Sequence, residues 1–155
     1  MAARVEKVTT LPSYKRHVAA LDAQGKSVYV DCLTPQYIPL SPALNAGYAR
    51  TYAVAQVPAK LQNDQDLKAY ASAAAITSWT QPSVVVPNGA TLFVTELGPG
   101  ESSPMHRTVS IDFAICTNGE VEHELDSGET VRLKAGVGSF SSCFVLMLEC
   151  GHRND

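Results

Sequence analysis

Gly98-Pro-Gly-Glu-Ser-Ser-Pro-Met-His-Arg-Thr-Val-Ser-Ile-Asp-Phe-Ala-Ile-Cys-Thr-Asn-Gly119 opens on a glycine-proline turn, closes on Asn118-Gly119 and alternates in character between them. In a strand, side chains repeat every second residue. His106, Thr108, Ser110 and Asp112 are therefore expected on one face of a strand running from Arg107 to Thr117, with Val109, Ile111 and Phe113 on the other. Burying four polar side chains dry is costly, so the polar face is expected to line a wet cavity, hold a metal or pair with itself. Small barrels place ligands against such a face.

The surrounding sequence keeps the same rhythm. Ser83 to Val86, Ala90 to Leu97, Glu120 to Leu125 and Thr130 to Lys134 read as short strands separated by glycine turns, the pattern of an antiparallel sandwich or small barrel. Upstream, residues 1–14 form an arm. Arg16 to Ala20 and Ser27 to Asp31 make a hairpin around Asp22-Ala-Gln-Gly-Lys26, and Tyr48 to Val57 is a further strand. Three prolines between Pro35 and Pro42 make a loop of that segment. One helix is expected near 64–73, capped by Asn63 or Asp64 and rich in alanine. No linker or repeat divides the chain, so residues 1–155 are expected to form one domain, all-β with one short helix.

With 155 residues, 45% hydrophobic and 17% charged, the chain has enough apolar material for a core and too little charge for disorder. Twelve Lys and Arg against fifteen Asp and Glu give a net charge of -3, and Lys15-Arg16-His17 is the one short basic cluster. Nucleic acid is a poor partner for such a surface. The first residues lack the apolar run of an export signal, and no stretch is long enough for a membrane helix. A cytoplasmic protein without membrane contact is expected, with Cys32, Cys116, Cys143 and Cys150 as reduced thiols.

In the quoted stretch, Gly100, His106, Thr108, Asp112 and Gly119 stand in the frame of the first cupin motif, with Thr108 in place of a histidine and Asp112 in place of a glutamate. Together with Gly119-Glu-Val-Glu-His-Glu-Leu-Asp-Ser-Gly-Glu-Thr-Val-Arg-Leu-Lys-Ala-Gly136, this segment resembles the small single-domain cupins of fungal secondary-metabolite clusters. The resemblance covers most of residues 15–136. It implies a double-stranded β-helix, the cupin jelly roll, and a divalent metal such as Fe, Mn, Ni or Zn as cofactor. It also implies a homodimer and an oxidoreductase or related lyase acting on an aromatic or polyketide-derived small molecule.

From Val137 onward the resemblance fails, because the second histidine-bearing motif is absent as such. The jelly roll is therefore expected to be incomplete at its C-terminal end unless Cys143 to Glu149 supplies a replacement strand. Phe144 to Leu148 is expected to be buried at a chain edge or a dimer contact.

In the frame of that resemblance His106 and Asp112 are the catalytic and metal-binding residues, and Thr108, Ser110 and His123 contact the substrate. Each has a plainer alternative. His106 is either a site residue or a histidine hydrogen-bonded at a strand start. Asp112 is either a ligand or general base, or a cross-strand partner of Arg107. His123 alternates with Val121 and Leu125, which makes it a core histidine as readily as a second imidazole in the cavity. A protein that binds a small molecule or a partner without turnover is the competing reading of the whole.

Overall fold

The computed structural model describes residues 14–31, 37–41, 43–142 and 145–150, with side chains described through Phe140. Two compact units divide it, one of Met1–Leu40 and Gly47–Thr95, the other of Ser41–Ala46 and Glu96–Asp155.

The first unit begins with a hairpin of β1 (Val18–Leu21) and β2 (Ser27–Val30), in register from Val18↔Val30 to Leu21↔Ser27. Its turn is closed by the Asp22 carboxylate, which accepts the Gln24 and Lys26 N–H groups at 2.9 and 2.8 Å. A three-stranded sheet follows in the order β3 (Tyr37–Pro39), β4 (Ala46–Val54), β5 (Ala90–Leu97). The expected proline loop thus contains a three-residue strand. It lies at the sheet edge, where a proline need not donate to a second neighbour.

Two local expectations are corrected. Ser83 to Val86 is not a strand. Pro82 and Pro87 remove ladder donors at both ends, and the Ser83 hydroxyl turns the backbone locally by donating to the Val85 carbonyl and accepting the Val85 N–H. The helix, α1 (Gln65–Ala71), is present but uncapped by side chains, because Asp64 holds a left-handed backbone with φ 54°. A 3-10 turn at Gln62–Asp64 leads into it.

Strand β4 carries the buried centre of this unit. Ala49 and Ala53 are buried on it, and so is the Arg50 side chain, at 1% exposure. A buried guanidinium needs acceptors. Arg50 Nη1 donates to the Ile76 and Ser78 carbonyls at 2.7 and 3.1 Å, and Nη2 donates to the Ser83 carbonyl. These bonds hold the irregular segment after α1 to the central strand. Tyr70, fully buried on α1, donates to the Arg50 carbonyl at 2.8 Å.

The second unit holds β6 (His106–Arg107), β7 (Ile111–Ile115), β8 (Glu120–Leu125), β9 (Thr130–Lys134), β10 (Gly138–Ser142) and β11 (Val145–Cys150). Four of these form a sheet in the order β6-β11-β8-β9, and β7 pairs with β10 as a separate ribbon. Gly100 and Gly119, the motif glycines, both sit at φ +75°, a conformation that a side chain disfavours. Strand β11 arises from the segment where the second motif is lacking, and it lies between β6 and β8. Phe144 and the side chains of 145–148 lie outside the described residues. The registers described are antiparallel, and the chain is mostly β with one short helix, as a cupin jelly roll requires. No described helix is long and apolar enough to cross a membrane.

Replacing Arg50 by Leu leaves three carbonyls without their donor. Arg50→Leu is predicted to lower stability by about 3 kcal/mol, read as a lower urea midpoint; an unchanged midpoint would contradict the role given to this side chain.

Candidate functional site

The strand expected from Arg107 to Thr117 is broken. Thr108, Val109 and Ser110 lie between β6 and β7, which belong to different sheets. A chain that passes from one sheet of a sandwich to the other must bend, and alternation does not carry across the bend. β6 pairs with β11 and β7 with β10, and at the end of the bend the Ser110 hydroxyl donates to Asp112 Oδ1 at 2.8 Å.

The sequence-predicted residues fall on both sides of this bend. His106 is exposed on β6. Its Nδ1 donates to the Pro104 carbonyl at 2.9 Å, which leaves Nε2 as the basic nitrogen. Thr108 is half-buried, with Oγ1 enclosed and without a hydrogen bond. Asp112 is the second residue of β7, half-buried and paired with Ser110. His123 is buried on β8.

Two pairs of polar residues are brought together. One is Ser110 with Asp112. The other is His123 with Ser139 of β10, whose hydroxyl lies 3.4 Å from Nδ1. The register Ser139↔Ala114 and Ser141↔Asp112 puts Asp112 and Ser139 on the same face of the β7–β10 ribbon, one pair apart. That face meets His123, while Ile111, Phe113, Ile115 and Phe140 turn away from it and are exposed. Ser139 was not foreseen; its alternation with Phe140 in Gly138-Ser-Phe-Ser-Ser142 is the signal that marks it.

His106 and His123 share a face of the four-stranded sheet, through the pairs His106↔Leu146↔Leu125 and Leu148↔His123. They are separated by two strand spacings and two residues, about 12 Å by sheet geometry. Among the described residues no three His, Cys, Asp or Glu side chains are grouped to hold an ion. The described donors alone are fewer than the three or four that a resident divalent metal ordinarily needs.

The outer face of β8 is ionic. Arg132 lies 3.2 Å from Glu120 and 3.4 Å from Glu122, and Lys134 lies 3.6 Å from Glu120. This fixes the parity of β8 and turns His123 inward. Burial holds the His123 imidazole below its ordinary value, because the charged form loses its hydration. Cys116 is a buried free thiol, its Sγ 3.4 and 3.6 Å from the Asn118 and Gly119 carbonyls.

Two aromatic pairs lie in the first unit. Tyr48 stacks edge-on with Phe93 at 6.1 Å and Tyr52 against Tyr70 at 5.3 Å. That unit has a cleft of about 170 Å³ walled by Val54, Lys60, Asp66, Ala69 and Thr77, among others, and none of the sequence-predicted site residues borders it.

An antiparallel β chain with a motif loop ahead of β6 and an inward histidine on β8 is consistent with a cupin jelly roll. Comparison with known proteins agrees. No protein-family model matches the chain. It is 35% identical over 125 residues to the phomopsin biosynthesis cluster protein D of Diaporthe leptostromiformis, covering 78% of this chain and 62% of that protein. It is 32% identical over 123 residues to the cupin-domain-containing oxidoreductase virC of Hypocrea virens, covering 78% and 59%. The cupin-domain-containing oxidoreductase fogC of Aspergillus ruber is 26% identical over 121 residues, 78% of this chain and 56% of that protein. The chain is similar to fungal proteins named as biosynthesis cluster proteins and to others named cupin-domain-containing oxidoreductases, and it spans about 60% of the length of these curated relatives.

The lowered His123 value has a measurable consequence. Below 6.5, the ordinary imidazole value, the unfolded chain takes up a proton that the folded chain does not. Stability is predicted to fall as pH drops below 6.5 and to level off once the folded imidazole protonates. Urea midpoints across this range should show a weaker slope in His123→Gln; equal slopes in both proteins would contradict the burial.

Proposed function

We propose that this chain is a cupin-type oxidoreductase or related lyase that acts on an aromatic or polyketide-derived small molecule in fungal secondary metabolism. The observation that carries the reading is the relationship, over 78% of the chain, to proteins named cupin-domain-containing oxidoreductases. The chain works as one cupin-like domain, in the cytoplasm and as a homodimer. Asp112 is the general base, a half-buried carboxylate oriented by the Ser110 hydroxyl. His106 is its partner on the other side of the bend, presenting Nε2. Thr108, Ser110 and His123 contact the substrate, and the inner face of the β7–β10 ribbon is the wall it lies against. Support for His106 is its motif frame; support for Asp112 and His123 is their position on inward faces.

A second reading, a ligand-binding cupin without turnover, is favoured by two features. His106 and Asp112 belong to different sheets, and the described residues group no three metal donors.

Incubation of the purified protein with aromatic aldehydes, quinones and hydroquinones in air, followed by mass spectrometry and metal analysis, tests both. Turnover that drops about 100-fold or more in Asp112→Asn and His106→Ala, with folding retained, supports the enzyme. Unchanged turnover in both variants would overturn the assignment of these residues. Binding of the same compounds without product would establish the second reading.

A further inference from the structure

The β7–β10 ribbon is inverted relative to an ordinary surface strand pair. Along β7 the half-buried positions are Asp112 and Ala114, whereas Ile111, Phe113 and Ile115 are 69%, 71% and 65% exposed. On β10 Phe140 is 75% exposed while Ser139 turns inward to His123. Val109, in the bend that leads into β7, is 90% exposed. Large apolar side chains gathered on one outer face, with serine and aspartate behind them, mark a surface that is covered in the working protein.

We infer that this outer face is the contact surface of a symmetric homodimer. The inference rests on the homodimer proposed above and names its surface. Three observations select a second copy as the occupant. First, the face carries no charge, so a charged partner gains nothing from it and two identical copies do not repel across it. Second, taking about 200 Å² for a large side chain, the five residues expose on the order of 700 Å². That approaches the roughly 800 Å² that each partner contributes to a stable interface.

Third, the register suits a two-fold axis. The Phe113↔Phe140 pair stands at the centre of the ladder, ring centroids 5.4 Å apart and nearly perpendicular. Ile115↔Gly138 and Ile111↔Ser142 stand on either side of it. An axis along the strands sets β7 of each copy over β10 of the other. The isoleucines then meet the positions of the small residues Gly138 and Ser142, and the four phenylalanine rings meet in the middle. Face-to-face sheets pack about 10 Å apart in this manner, and each copy presents the same patch to its partner.

Sedimentation equilibrium of the full chain at micromolar concentration, with Phe113→Asp and Phe140→Asp alongside, tests the surface. The wild-type protein is expected at the mass of two copies, and each variant is expected to weaken association about 100-fold with an unchanged far-UV spectrum. Hydrogen exchange on the wild-type protein gives the same test without a variant. Dilution should raise exchange across Ile111–Ile115 and Gly138–Ser142 together. A wild-type dimer that both variants leave intact, with no exchange change on dilution, would overturn this surface and leave the dimer standing. A wild-type protein of single-copy mass would overturn both.

Discussion

Thr108-Val109-Ser110 carries the chain out of the four-stranded sheet and into the β7–β10 ribbon, and the candidate site depends on that transfer. A strand that changes sheets cannot keep one set of side chains on one continuous face. The bend leaves His106 exposed beside its own loop, bonded to Pro104, and delivers Asp112 to the inner face of a different ladder. The Ser110 hydroxyl on Asp112 fixes the first turn of the new strand. From there the alternation runs cleanly, Asp112 and Ala114 inward and Ile111, Phe113 and Ile115 outward.

The two faces of this ribbon answer different demands. Its inner face brings Ser139 to the buried His123 imidazole, whose charged form burial disfavours. Its outer face offers apolar surface that water does not favour. A thin two-stranded ribbon is marginal when only one face is covered. Covering the outer face would therefore also stiffen the wall that carries Asp112 and Ser139, which couples assembly to the geometry of the site.

Much of this was legible in the sequence where the signal is local. The turn chemistry of Asp22 to Lys26 and the strands Ala90–Leu97, Glu120–Leu125 and Thr130–Lys134 follow from alternation and glycine placement. The inward parity of His123 follows from Glu122 and Glu124 on either side of it. What depends on distant partners was not legible. The bend at 108–110 arises because β6 pairs with β11 and β7 with β10, and nothing within the segment announces two different partners. Ser139 gains its meaning from His123, sixteen residues away along the chain. Arg50 reads as an ordinary charge in a strand until the carbonyls of Ile76, Ser78 and Ser83 close around it.

The central claim is that the inner face of the β7–β10 ribbon and His123 together form the small-molecule site of this cupin relative. A crystal structure of the protein soaked with a substituted aromatic aldehyde tests it most directly. The account predicts ligand density in contact with His123, Ser139 and Asp112. Density confined to the cleft beside Lys60 and Asp66 in the first unit, or a dry and closed space at His123, would contradict it.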